Sequence, residues 1–191
     1  MGYGGTEAQL GVLKQTPRSV DNIIQFPCFH LGFNNTMNLP DPVTVVGTGN
    51  VDGCRNLIRT YLNMSSCGSR TDCTVQGVTL PPIPANAPIY AFSLFHTVAK
   101  FYGFDPTMTL SSLRVPIFSH CALNWTEVIS RYTPDQFLFQ NCFSGLFANE
   151  LMTTGYRISE SRTINVVTKI DKVSVTWALG AMLYEISLTP C

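Results

Sequence analysis

The chain has 191 residues, of which 13% are charged, with 12 Lys and Arg balanced by 12 Asp and Glu. That length is one domain of generous size, or one lobe of something larger, able to bury about 70% of the surface its unfolded chain exposes. Zero net charge and no basic cluster longer than two residues argue against nucleic acid and anionic membrane surfaces as partners.

Seven cysteines lie among three Asn-X-Ser/Thr sequons, at Asn34, Asn63 and Asn124, a combination that favours an oxidising, glycosylating compartment. The opening MGYGGTEAQLGVLK has neither a basic n-region nor an apolar h-region, and no run of about 18 apolar residues occurs. A secreted-looking body without a signal peptide leads us to expect a missing N-terminus, with any membrane anchor outside this chain.

In chain order, Gly4-Gly5 reads as a turn, with Thr6 as N-cap of a short helix carrying Ala8, Leu10, Val12 and Leu13 and closed by Pro17. Residues 21–42 read as loop with aromatic anchors, and the first clear strand is Val43 to Val46. A helix follows from about Asp52 to Leu62, with Cys54, Leu57, Ile58 and Tyr61 on one face. Residues 63–73 form a polar loop, and Thr74 to Leu80 reads as a strand.

From Tyr90 to Phe104 the pattern is apolar on almost every side of a helix, bounded by the prolines at 81, 82, 84 and 88 and by Gly103. This segment is expected to be the central helix. Thr109 to Phe118 reads as a helix disturbed by Pro116, and Trp125 to Arg131 as a short one. Thr133-Pro134-Asp135-Gln136 predicts a helix start, running through Phe137, Phe143 and Phe147 to a stop near Gly155. A strand from Ile164 to Ile170 and a last apolar helix from Ser174 to Ile186 complete an α/β or α+β lobe.

Several constellations invite chemistry and fall short of it. Gly47-Thr48-Gly49 between strand and helix resembles a phosphate loop, but Gly53 sits one residue too far on, and Asp52 puts negative charge where pyrophosphate would lie. Cys28-Phe29-His30 and His120-Cys121 hold soft ligands without paired zinc spacing. No Gly-x-Ser-x-Gly occurs, so His30, His96 and His120 are read as hydrogen-bonded core or loop residues. Any six of the cysteines allow 15 connectivities. Cys67 and Cys73 are the easiest local pair. A loop closed by Cys28 and Cys54, or by Cys121 and Cys142, would contribute roughly 3.5 kcal/mol, choices that leave Cys191 unpaired.

Seven segments nevertheless occur in one family's order: PCFHLGF (27–33), GTGNVDGC (47–54), the loop from Cys67 to Cys73, LPPIP (80–84), YAFSLF (90–95), NCFSG (141–145) and TWALGAML (176–183). Over nearly its whole length the chain resembles the C-terminal lobe of a nucleoside triphosphate diphosphohydrolase, the apyrase or ecto-ATPase family, of the cell-surface disulfide-bonded type. The resemblance implies one lobe of an actin-like, ribonuclease-H-like pair that closes on a nucleoside di- or triphosphate with Ca or Mg bound. It also implies the pairs Cys28–Cys54, Cys67–Cys73 and Cys121–Cys142. A fourth family pair, near Gly2 and Pro40, has neither cysteine here.

The family's two phosphate-clasping loops and glutamate base match nothing in this sequence, so the missing N-terminal lobe is expected to carry them and this chain alone to be inactive. Carried over by position, the base-stacking aromatic falls on Thr97 and its opposite clamp on Phe137. Leu94 and Asn141 line the same pocket, the ribose-side polar pair falls on Gly5 and Thr6, and the last apyrase motif includes Trp177, Leu179 and Gly180. Thr97 cannot stack on a base, whereas Phe137 can. The rival expectation is a non-catalytic secreted module that binds nucleotide or protein.

Overall fold

The computed structural model describes residues 4–39, 41–174 and 177–188. Helix α1 spans Gly5–Lys14, with Gly4 rather than Thr6 at its N-cap and no side-chain cap. Thr6 is already inside the first turn and exposed, a correction to its predicted capping role. Strands β1 (Ile23–Phe26), β2 (Asn34–Leu39) and β3 (Asp41–Gly47) form one sheet in the order β1-β3-β2. The β1–β3 pair is parallel and the β2–β3 pair antiparallel.

Two of these strands fall in the stretch expected to be loop. The NNTMNL sequence of β2 has no apolar alternation to announce it. It becomes a strand because the ladder of β3 supplies partners for its backbone groups, from Asn34 opposite Val46 to Leu39 opposite Asp41. In β3 itself the alternation is plain, with Val43, Val45 and Gly47 buried.

Helix α2 (Val51–Leu62) is capped by Asn50, whose side chain accepts from the Gly53 N–H, and ends at Asn63 in the left-handed conformation. The predicted strand from Thr74 to Leu80 is instead a 3-10 turn over Val75–Gly77, with a single bridge between Cys73 and Thr79. The Cys67–Cys73 disulfide closes the adjoining loop, and the Thr74 hydroxyl donates to the Gly155 carbonyl at 2.8 Å, pinning the turn to the body.

The segment expected to be one central helix divides. Strand β4 (Ile89–Ala91) pairs in parallel with β6 (Thr163–Val166), itself antiparallel to β5 (Thr107–Thr109). After β4 the chain turns at Ser93, with φ 54° and ψ −123°, and only Leu94–Phe101 is helix α3. Gly103 past its end has φ 84°, the predicted glycine stop. Val98 and Ala99 are buried, while Phe92, Phe95 and Phe101 are half-buried, so α3 flanks the core.

The central helix is α6 (Asn141–Glu150), buried along nearly its whole length and packed against α2, α3 and α4 (Leu110–Cys121). At Gly145 an added Cβ would come within 2.9 Å of the Tyr102 ring and 3.0 Å of Ile117, so a side chain there would wedge the three helices apart. The helix does not begin at Thr133. The Asp135 side chain accepts from the Phe137 N–H at 2.6 Å, and a 3-10 turn at Leu138–Gln140 precedes α6. A π turn, Leu151–Gly155, follows it.

Capping boxes start α4 (Thr109 with Ser112) and α5, Trp125–Arg131 (Asn124 with Glu127). Pro116 sits inside α4 without ending it. The strand predicted from Ile164 to Ile170 breaks after Val166, and Lys169–Ile170 (β7) and Val173–Ser174 (β8) form a separate hairpin before α7, Trp177–Leu188. All three disulfides implied by the resemblance are present; Cys191 lies outside the described residues.

Candidate functional site

A cavity of about 540 Å³ opens where the N-termini of α1 and α3 meet, lined by Gly5, Glu7, Tyr90, Phe92, Ser93 and Phe95 among others. Its position follows from a close approach. An added Cβ at Gly5 would lie 3.2 Å from Leu94, so the missing side chain lets α1 reach the β4–α3 turn. Aromatic rings from β4, from the turn and from α3 dominate the wall, and Tyr156 and Leu151 complete it. Glu7 is the charged side chain among the described lining residues. A wall of this kind, apolar with few polar groups, suits a flat ring better than a phosphate.

The residues carried over from the resemblance are only partly united. Gly5 and Leu94 line this cavity together. Thr97 is exposed one turn further along α3, its hydroxyl donating to the Ser93 carbonyl at 3.2 Å, and Thr6 is exposed on α1. Asn141 is held at the far end of α3, where its carbonyl accepts from the Tyr102 hydroxyl at 3.0 Å. Tyr102 itself follows the last turn of α3, about 12 Å along the helix axis from Leu94 at 1.5 Å per residue. Phe137, four residues before Asn141, is 58% exposed. Gly180 is exposed on α7, and the side chains of Trp177 and Leu179 lie outside the described residues.

Tyr90, Phe92, Ser93 and Tyr156 were not singled out as site residues from the sequence. A signal for Ser93 did exist, as a serine just ahead of an apolar helical run, but it was submerged in a longer apparent helix.

The glycine loop after β3 is closed to phosphate. A Cβ at Gly47 would collide with the His30 carbonyl, and the Gly49 N–H donates to the Phe29 carbonyl at 2.8 Å, so residues 29–31 fill the space. Nor do the described residues fit a divalent cation, since no group of three or more His, Cys, Asp or Glu side chains converges among them. His30 and His120 do come together, while Cys28 and Cys121 beside them are in disulfides. His30 is hydrogen-bonded to a carbonyl as expected, but His120 has no partner at either ring nitrogen.

Away from the cavity, Glu150 on α6 is buried between Arg55 at 2.7 Å and Arg59 at 2.8 Å, and also accepts from the Thr154 hydroxyl. Burial alone would raise its pKa. Hydrogen bonds from Arg59, Arg55 and Thr154 outweigh that and leave it below the usual carboxylate value. This is a structural clasp between α2 and α6.

Fold and cavity define a disulfide-braced α/β lobe, of the actin-like kind, with a ring-lined pocket of small-ligand size. Residues 1–191 match the GDA1/CD39 (nucleoside phosphatase) family, and the chain belongs to that family. It is 32% identical over 179 residues to ectonucleoside triphosphate diphosphohydrolase 8 of Homo sapiens, an alignment covering 92% of this chain and 35% of that protein. With the Bos taurus protein of the same name it shares 31% identity over 209 residues, covering 98% and 42%. With ectonucleoside triphosphate diphosphohydrolase 2 of Mus musculus it shares 32% over 174 residues, covering 88% and 34%. The chain thus spans between about a third and two-fifths of the length of these relatives.

Proposed function

We propose that this chain is the nucleobase- and ribose-binding lobe of an apyrase-type hydrolase that cleaves the terminal phosphates of nucleoside tri- and diphosphates. The observation that carries the reading is the family match along all 191 residues. The ring-lined cavity at Gly5 and Leu94 agrees with it. In this reading Leu94 and Gly5 form the floor under the base, and the exposed ring of Phe137 stacks from the side of α6. Thr97, Asn141 and Thr6 stand at its edge. Stacking on one such ring contributes about 1–3 kcal/mol.

Phosphate chemistry belongs to a second, N-terminal lobe in this reading. The lobe reaches it through the last apyrase motif, Trp177, Leu179 and Gly180, on α7. That helix leaves Tyr184 61% and Ile186 63% exposed, apolar surface of the kind an inter-lobe contact covers. Ca or Mg would arrive with the nucleotide and be held outside this lobe. The three disulfides support a secretory or extracellular setting, where Asn34, Asn63 and Asn124, all exposed, are open to glycans.

The test is nucleotide binding by calorimetry, with phosphate release measured in parallel. We expect the purified chain to bind ADP or ATP and release no phosphate with Ca or Mg, and a two-lobe protein containing it to hydrolyse both. Absence of binding, with hydrolysis absent from the two-lobe protein as well, would overturn the reading. Binding without hydrolysis in any longer form would leave a non-catalytic nucleotide-binding module.

A further inference from the structure

Three buried ring nitrogens without partners lie at one place in the fold, away from the nucleotide cavity. His30, in the bend after β1, and His120, in the last turn of α4, are 0% and 2% exposed. Their ring centroids are 4.7 Å apart with planes at 85°. His30 Nδ1 lies 3.0 Å from the Leu123 carbonyl, which only accepts, so the proton is on Nδ1 and the Nε2 lone pair is buried and unpaired. Neither nitrogen of His120 has a partner. Around His120 stand Phe101, Tyr102 and Tyr132, each edge to face at 4.9–5.7 Å, and Trp125 lies 6.2 Å from the His30 ring. The bend is tied to α5 by the Trp125 N–H donating to the Leu31 carbonyl at 2.8 Å.

We propose that the His30–His120 pair is an acid-sensitive latch. With both rings neutral it seals the bend at residues 28–33 against α4 and α5. Proton uptake by either ring opens the seal onto the adjoining cavity of about 380 Å³, lined by Phe101, Tyr102, His120, Arg131 and Tyr132.

The proton added to either ring finds no acceptor within hydrogen-bond reach. No carboxylate lines that cavity among the described residues, and its charged member, Arg131 at the end of α5, is itself a cation facing Glu127 at 3.4 Å. From α3 comes the Tyr102 hydroxyl, whose proton goes to the Asn141 carbonyl; beyond α5 comes the Tyr132 phenol; from the bend comes His30; and none of them lies within hydrogen-bond reach of a His120 nitrogen. Solvent is the remaining acceptor, and the seal must part to admit it.

Burial, with His30 adding to it, lowers the His120 pKa to about 4. Burial also lowers that of His30, against its bond to Leu123. One feature keeps the charged state within reach: the C-terminal carbonyls of α4 favour a cation. Cys28, two residues before His30, and Cys121, next to His120, are bridged to Cys54 and Cys142, so opening is confined to the rings and the bend between them.

The sign follows from the depressed pKa. The neutral form is favoured in the folded state, so stability is full above the free imidazole pKa of about 6.5 and is lost as pH falls towards 4.

The test is carbon-13 histidine NMR of the whole chain from pH 8 to 4, with melting measured at pH 7.5 and 5; His96→Gln assigns the third imidazole signal. We expect His30 and His120 to stay neutral through pH 6, then to titrate together with changes at Trp125 and Tyr132. The melting temperature should fall by about 4–8 °C between the two pH values. His120→Phe, which keeps a ring in the aromatic box, should remove at least half of that fall. Titration of both rings near 6.5 without change at Trp125 or Tyr132 would overturn the proposal, and so would an unchanged melting difference in His120→Phe. The NMR arm needs no variant, so a misfolded substitution leaves the outcome decidable.

Discussion

Glu150 and Phe137 mark opposite roles that one side chain can take here. Glu150 is buried and clasped by two arginines of α2. Its removal takes the buried partner from both guanidiniums, although Arg55 keeps Asp52 at 3.6 Å and Arg59 is half in solvent and recovers part of its hydration. We expect Glu150→Ala to destabilise by about 3 kcal/mol, the lower end for a broken buried pair, measured by urea unfolding. The clasp depends on the ionised carboxylate, whose folded pKa is depressed. Its stabilisation is therefore present above the unfolded value of about 4.3 and lost as pH falls through the lower folded value. Phe137 is exposed, so Phe137→Ala should leave stability within about 0.5 kcal/mol. In calorimetry it should weaken nucleotide binding by roughly 5- to 150-fold if the ring stacks on a base.

At the scale of elements, order comes from crosslinks onto α6. The Cys121–Cys142 disulfide joins the end of α4 to the start of α6, next to the turn that Asp135 makes with Phe137. We expect Cys121→Ala with Cys142→Ala to cost about 2–4 kcal/mol in thermal or urea unfolding. Elements defined by local chemistry were legible: α2 from its one-sided apolar face, α5 between Asn124 and Arg131, and β3 from its alternation. Those defined by partners were not. The polar strand β2 exists because β3 lies beside it, and β4 is too short, at three residues, to show a period before Ser93 turns the chain. Thr133-Pro134-Asp135 carried a sound helix-start signal that lost to the Asp135 side chain bonding its own backbone two residues on.

At the scale of the whole molecule, the C-terminal hairpin and α7 present Val173, Met182, Tyr184 and Ile186 to solvent. If a second lobe covers that surface, as proposed above, the chain taken alone should self-associate through it. Light scattering should show particles growing with concentration, and removal of residues 175–191 should reduce the growth.

The order of the motifs, from PCFHLGF to TWALGAML, was enough by itself to place the chain in its family, because that order is linear; the cysteine pairs came only as what the family resemblance implies, since spacing left 15 connectivities open. The pairing of His30 with His120, the clasp of Glu150 on two arginines, and the meeting of Gly5 with Leu94 all join residues dozens of positions apart. Burial and unpaired nitrogens are properties of packing, which the tertiary structure alone decides. The same holds for the carried-over site. The sequence placed Leu94 and Asn141 together by family position, and the fold sets Leu94 at the start of α3 and ties the Asn141 carbonyl to the Tyr102 hydroxyl from the end of that helix.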